Sequence, residues 1–546
     1  MKRILSLVLI NLIILSLFFF LHFINFPVKS EIKVYEDEVY FNGTSAYNYA
    51  YYLSKNFPKR VVGTQEEYEA FVWIKNNLEE MGYEVKTENF TVNIEYKRIG
   101  WNIYAFKKGS INETIAILGN YDMVPMSIEA ASDTAGHVGV LLELAKELIN
   151  YNSKRNILFA FVSSEEWGMQ GAKTFAKSFK TKVKVVIVAE DLTVGKITSL
   201  ALESMGQFKG YSPLWLRKIC KDVGDFMKIK VEDPVGIWEY IYRAVDISFT
   251  DQGPIIAEGI SSIEISTRGD KPELAREVYH TEKDVMENME IESFQIYGAF
   301  LKRLIISLDK AERIPDYEPD YLMVNEERYI NSLLTWIIPS LLLLIVLSHL
   351  IFVREKSIRF LRSFLGVIIY FLSLLPSLLI VTFSVQLNFV VTYDTYPPPP
   401  KHPYLYSPNY LLLFLFFFLP ALIIFFINKK IEKGNGFILA LLLATIASLF
   451  FNRFGTVILL SQAIIFWPWI PYVKKRLIRL VLLLLGLTFF LILITFFSIL
   501  IFTGPFIIWY LILGMAYGQF SLIGNIIAFF VGAIFIYLLI HFIIKK

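Results

Sequence analysis

The sequence predicts an α/β domain set between membrane helices, and three observations carry that prediction. The chain has 546 residues, 55% of them hydrophobic, which is too apolar for one soluble domain. Its long apolar runs are confined to residues 4 to 26 and to the chain after Tyr329. Between them, short apolar strands alternate with amphipathic helices, the pattern of a sheet covered on both faces.

The first run follows Lys2 and Arg3 and is long enough to span a bilayer as a helix. It has neither the shorter apolar core nor the small-residue cleavage site of a secretory leader, so it reads as a signal anchor. Later runs cover about 329–353, 363–391, 409–428, 436–452, 454–473, 480–503, 505–521 and 525–544. The run with Gly514, Gly518 and Gln519 suits either a re-entrant or a spanning segment, so eight or nine helices are expected in all. The expected division is 1–27 for the anchor, 28–325 for an outward-facing domain and 326–546 for a polytopic membrane domain of seven or eight helices.

Orientation follows from basic loops. Arg354, Lys356, Arg359 and Arg362, then Lys429, Lys430 and Lys433, then Lys474, Lys475, Arg476 and Arg479 mark cytoplasmic loops. Counting back places 28–325 outside the cytoplasm, extracellular or lumenal, together with the Pro-rich loop from Thr392 to Pro408 and its Tyr393, Tyr396, Tyr404 and Tyr406. The sequons at Asn42, Asn89 and Asn112 agree. The net charge of +3 is accounted for by those loops and gives no reason to expect nucleic acid as a partner; the lipid bilayer is the partner composition implies. Cys220 is the only cysteine, so the outward domain is stabilised by packing without an intrachain disulfide.

Within the domain, two helices come first. The stretch Glu66 to Met81 places Tyr68, Phe71, Ile74, Leu78 and Met81 on one face, and Gly82 ends that helix. Strands are expected at 115–119, 157–162 and 183–189, with helices at 135–150 and 169–178 between them. Asn120 and Asp122 follow the first of these strands, Glu165 and Glu166 the second and Asp191 the third. Ligands of open α/β sheets gather at such carboxyl ends.

Those acids suit one chemistry. A catalytic zinc needs three protein ligands, an open position for water and a nearby carboxylate to take that water's proton. Asp133, Glu166 and His280 supply the ligands and Glu165 the base. Taken alone, Asp133 before a helix is as well explained as an N-cap. His137, the other histidine of the domain, is assigned to packing.

Asn120-Tyr121-Asp122, Ser132-Asp133 through Gly136 to Glu143, Ser164-Glu165-Glu166-Trp167-Gly168, Glu190-Asp191-Leu192, Thr250-Asp251-Gln252 and Tyr279-His280-Thr281 occur in order along the domain. Together they resemble the signature blocks of the co-catalytic zinc exopeptidases, the clan that includes leucyl aminopeptidases, glutamate carboxypeptidase and glutaminyl cyclase. With the anchor and the polytopic tail, the chain is similar to the endoplasmic-reticulum and vacuolar membrane branch. The resemblance implies a zinc-exopeptidase-like mixed sheet sandwiched by helices. It implies a metal-bridging Asp133, the base Glu165, one zinc completed by Glu166 and His280, and a second on Asp191 and a histidine at position 120. That position is Asn120, a neutral amide and a poor zinc ligand, so the second site is weak. Asp122 is expected to support the site from behind. Gln252 also stands where the family commonly has histidine.

Three readings follow. The first is a zinc aminopeptidase-type hydrolase acting on peptides, with one firm zinc and the second position empty or weakly held; a single-zinc glutaminyl cyclase-like transferase is its variant. The second is an inactive peptidase-fold scaffold in the manner of nicastrin and nicalin. The third, a transporter, stands last because the spans hold almost no ionisable residue.

Overall fold

The structure is a computed structural model describing residues 2–94, 96–353, 355–390, 408–500 and 507–545. The Pro-rich loop with its four tyrosines, and Arg354, lie outside the described residues.

The outward domain is built on eight strands. They are β2 (Glu84–Ile94), β3 (Tyr96–Lys107), β4 (Ile111–Asn120), β5 (Arg155–Val162), β6 (Val185–Ala189), β7 (Ile197–Glu203), β8 (Lys230–Glu232) and β9 (Ser261–Gly269), preceded in the chain by the short β1 (Phe26–Pro27). The sheet order is β2-β3-β5-β4-β6-β9-β7-β8. Its centre is parallel, since β4 runs parallel to β5 and β6, and β6 to β9. The β2–β3 hairpin joins β5 antiparallel, and β7 joins β9 antiparallel, so the sheet is mixed.

Period-two alternation divides the core between two faces. On β4, Ile115 and Ile117 face one side and Ala116 and Leu118 the other, all fully buried. The helices following the N-terminal α1 (Lys2–Leu21) are α2 (Gly43–Asn56), α3 (Gln65–Glu80), α4 (Gly136–Leu148), α5 (Gln170–Phe179), α6 (Leu214–Met227), α7 (Ile237–Val245), α8 (Gln252–Ala257), α9 (Pro272–Val278) and α10 (Ile291–Lys310). Leu141 and Leu144 of α4, Ala46 and Ala50 of α2 and Phe300 and Leu304 of α10 join Ile115 and Ile117 in the larger core. Phe175 and Phe179 of α5 and Ile255 of α8 cover the opposite face. Each such buried leucine, isoleucine or phenylalanine side chain contributes about 1.5–3 kcal/mol.

Local signals place the elements close to expectation. Thr64 caps α3 by accepting the Glu67 amide at 3.2 Å, and Gly82 at φ +96° turns the chain out of it. Asn42 caps α2 by accepting the Ser45 amide at 3.0 Å, so that carboxamide is engaged in the fold.

The membrane part is multi-pass. Among the described residues six helices are long and apolar enough to cross a bilayer: 2–21, 332–352, 357–382, 410–430, 453–472 and 522–544. The pair Arg476–Leu485 and Thr488–Thr495, bent by 55°, makes a seventh if counted as one span. Two of the expected segments form shorter helices, Phe437–Phe451 of 15 residues and Ile507–Ala516 of 10. At about 1.5 Å per residue the helix Phe437–Phe451 alone does not cover a hydrocarbon core of about 30 Å.

The basic loops meet on one side: Arg359 Nε donates to the Lys433 carbonyl, Arg362 pairs with Glu432 at 2.8 Å and Arg479 donates to the Phe542 carbonyl. At the other end, Asn452 and Arg453 meet the outward domain through the Arg243 carbonyl and Asp320. There β1 pairs with β11 (Arg328–Ile330), which pairs with β10 (Leu322–Asn325), so the chain is stitched where it leaves and re-enters the membrane. The domain is therefore on the side opposite the basic loops, extracellular or lumenal.

Candidate metal centre

Asp133 sits in a tight turn, Ala131 to Ala135, between β4 and α4. Its backbone is non-helical at φ −130° and ψ 83°, and no side chain caps α4. The helix start therefore does not claim this carboxylate. Asp284 shapes the turn instead, accepting the Ser132 amide at 2.8 Å and the Asp133 amide at 3.2 Å. Thr134 Oγ1 donates to the Asp122 carbonyl, and the Leu192 amide to the Ser132 carbonyl, tying the loops after β4 and β6 together.

Glu165 and Glu166 follow β5 through Ser164, whose φ of +66° marks a sharp departure from the strand. The Glu165 amide donates to Asp122 Oδ1 at 3.1 Å, so the acid after β4 fixes the backbone of the proposed base. His280 follows α9 at φ +55° and stacks against Tyr279 with ring centroids 3.9 Å apart.

These loops bring three ligand types to one point. His280 Nε2 lies 3.1 Å from Asp133 Oδ2 and 3.3 Å from Glu166 Oε2. Among the described residues Asp133, Glu166 and His280 are the one group of potential metal ligands, with all three donor atoms within 4.8 Å of one another. Two carboxylate oxygens and an imidazole nitrogen fit a three-ligand zinc site with a fourth position open.

Electrostatics match that use. Burial raises the Glu166 carboxyl above its ordinary range, His280 opposes the rise and Asp133 adds to it. For His280 burial disfavours the protonated ring, but Glu166 and Asp133 outweigh it and push the imidazole well up. Glu165 is pushed well above the usual carboxylate range by burial and then by Glu166, Glu190, Asp251 and Asp133.

The remaining sequence candidates fall around the group. Asp191, at φ +38°, is held through its carbonyl by Thr267 and is pushed up to about 8 by burial and by Asp133. It does not join the three-residue group. Nor does Asn120, whose backbone carbonyl is held by His137 Nε2 at 2.8 Å while its carboxamide Nδ2 has no hydrogen-bond partner among the described residues. His137 is fully buried and kept neutral by burial, which lowers it to about 4, so it braces strand β4. Gln252 Nε2 donates to the Met205 carbonyl and Ser248 Oγ, within its own loop region.

Sequence reasoning did not assign roles to Asp284, the clamp on the Asp133 turn, or to Asp251, whose amide donates to Glu190 Oε1 at 3.1 Å. Asp251 is fully buried, and neither carboxylate oxygen has a hydrogen-bond partner among the described residues. Its place inside one of the ordered blocks was the available signal.

With this geometry in hand, comparison decides the kinship of the domain. Residues 102–305 match the profile of peptidase family M28. The outward domain is homologous to the M28 zinc exopeptidases. A curated relative is the alkaline phosphatase isozyme conversion protein of Escherichia coli K12, 27% identical over an alignment of 180 residues that covers 28% of this chain and 52% of that protein. The chain thus spans about half the length of that relative.

Similar solved structures include the glutaminyl cyclase of Porphyromonas gingivalis, at 18% identity and TM-score 0.42 over 49% of this chain and 99% of that one. The zinc aminopeptidase BSAP of Bacillus subtilis matches at 14% identity and TM-score 0.44 over 52% and 98%. In a domain that matches the M28 model over residues 102–305, a single Asp/Glu/His triad has the make-up of a zinc-dependent peptidase active site.

Proposed function

We propose that the chain is a membrane-anchored zinc metallopeptidase of aminopeptidase type, similar to the endoplasmic-reticulum and vacuolar membrane branch, that hydrolyses peptides outside the cytoplasm with one metal. The observation that carries the reading is the convergence of Asp133, Glu166 and His280 within 4.8 Å, beside the one further glutamate in sequence contact with them, Glu165. Zinc at this point, when bound, polarises the scissile carbonyl and acidifies water.

The chain's own residues supply the rest. Asp133, Glu166 and His280 would hold the ion, the two carboxylates supplying negative charge and the imidazole a neutral nitrogen donor. Glu165 takes a proton from the attacking water and returns it to the leaving nitrogen, a task that favours a carboxyl raised toward neutrality. Asp122 holds the Glu165 backbone in place.

Glu165→Gln tests the assignment. It should lower kcat by about 10²- to 10⁴-fold, the usual contribution of a general base, while zinc content by elemental analysis stays at that of the wild type. Unchanged turnover in that variant removes Glu165 from the mechanism. The exopeptidase choice rests on kinship, and a panel of aminoacyl, blocked and N-terminal glutaminyl reporters separates an aminopeptidase from an endopeptidase and from a cyclase.

A further inference from the structure

Two separate contacts bring the proposed site down to the membrane domain. Val61, Val62, Val92, Ile94 and Trp167 form a small apolar cluster in which Trp167 directly follows the Glu165–Glu166 pair. Tyr517, from the turn after the helix Ile507–Ala516, packs against this cluster. The same tyrosine packs against a membrane cluster that includes Val381, Leu412, Trp509 and Leu513. One residue of the membrane domain therefore joins the wall behind the catalytic loop to the bundle.

The second contact runs through residues 237–251. Helix α7 lies on the membrane domain: Asn452 Nδ2 donates to the Arg243 carbonyl at 2.8 Å, Tyr240 meets Phe454 edge-on, and the Tyr240 hydroxyl is 3.0 Å from His22 Nε2. On this segment Ile237, Trp238 and Phe249 are 55%, 47% and 55% exposed. Two residues after Phe249 comes Asp251, buried beside the acids of the site. Exposed tryptophan and phenylalanine next to a transmembrane bundle are at home in the headgroup layer. The loop between Asp122 and Asp133 adds Met126 and Ile128, each 40% exposed.

We infer that the site serves peptides held at the bilayer surface by an apolar segment or chain, with Tyr517 tying the loop of the Glu165–Glu166 pair to the membrane domain. The inference rests on the peptidase reading above and adds the substrate class. Such a peptide is already on the side of the bilayer where the domain meets the membrane helices, which converts a search through solution into one along a surface. Apolar side chains beside a transmembrane bundle are accommodated by acyl chains and by the apolar segment of a membrane-held peptide.

The experiment uses the full chain reconstituted in phosphatidylcholine vesicles. Two reporters share one apolar N-terminal sequence, one ending in a polar tail and the other in a palmitoyl chain. The acylated reporter in the same vesicle should be cleaved faster by at least about tenfold at equal bulk concentration, and the advantage should vanish when enzyme and reporter are in separate vesicles.

Tyr517→Ala should shrink that ratio and Tyr517→Phe should retain it, both with wild-type zinc content. Cleavage of both reporters at equal rates, or a ratio unmoved by Tyr517→Ala, overturns the inference and leaves the peptidase standing. Failure to cleave either reporter with zinc bound overturns the peptidase reading itself. Should the alanine variant not fold, the pair Ile94→Cys and Tyr517→Cys gives a second measure, since the sole native cysteine, Cys220, is buried. A short dithiol-reactive reagent should join the two positions in intact membranes, and its failure to do so with zinc retained rejects the contact.

Discussion

Glu67 offers the clearest quantitative test of how the site is supported. It is fully buried on α3, where its Oε1 accepts hydrogen bonds from the Tyr121 hydroxyl and from Ser163 Oγ, both at 2.8 Å. Those partners follow the ends of β4 and β5, directly beneath the loops of the metal centre. Burial raises its carboxyl from 4.5 to about 7, against the lowering effect of Ser163 and Tyr121. The folded state thus binds this proton more tightly than the unfolded chain does. Its contribution to stability is complete below pH 4.5, declines as the pH rises and is lost above about 7. The loss amounts to about 3 kcal/mol between the two ends of that window, at about 1.4 kcal/mol per pH unit of displacement. Glu67→Gln keeps an oxygen that can accept both hydroxyls and removes the titration. The full chain in detergent, with zinc saturating, should be unfolded by heat or denaturant at several pH values between 4 and 8. Relative to the wild type, the variant should gain about 3 kcal/mol on going from the acid to the alkaline end, or roughly 5–10 °C in Tm. Comparing slopes cancels any constant cost of the amide. Parallel profiles for the two proteins would refute the claim that Glu67 is held protonated by its surroundings.

Two further outcomes are expected. Asn120→His should raise bound zinc from one toward two per chain, read by elemental analysis; a stoichiometry fixed at one would assign the weak second site to the placement of Asp191 instead. Glu239, fully buried, pairs with both Arg217 and Arg243 at 2.8 Å; in Glu239→Ala Arg217 keeps Asp233 at 2.8 Å while Arg243 loses its carboxylate, so the variant should cost about 3–5 kcal/mol, read as a lowered denaturation midpoint of the full chain.

Much of the domain was legible because its signals are local. Strand β4 announces itself through a run of apolar residues that supply both faces of the sheet, and α3 through its Thr64 cap, its apolar stripe and Gly82. Chemistry at strand ends then follows from the architecture, which is why Glu165, Glu166 and Asp191 could be singled out. Asp133 shows where local reading stops. An acid before a helix looks like a cap, and only the non-helical backbone at that residue, held by Asp284 from 151 positions away, turns it toward His280. The Tyr517 contact was illegible for the same reason, since it is made with residues distant in the chain; Asp251 lay inside one of the ordered blocks, but its contact with Glu190 is set by the fold. Helix counting met a different limit: an apolar run includes turn residues and broken segments, so the run at 436–452 yields a helix of 15 residues and the run at 480–503 a pair bent by 55°.

The acids around the triad bear on the choice between hydrolase and scaffold. Glu165, Glu190, Asp251 and Glu264 are all driven above the ordinary carboxylate range, in each case first by burial. Buried carboxyls that repel one another lower stability, and replacing such groups with well-packed apolar residues of similar size is often neutral or stabilising. A domain kept only for its shape gains nothing by carrying them. A domain that must hold a divalent cation and cycle a proton beside it needs both the negative potential and the raised carboxyls, and strongly perturbed groups concentrate at sites of that kind. The cost built into this pocket therefore favours a working metal centre over an inert copy of one, and it does so without reference to the relatives of the chain.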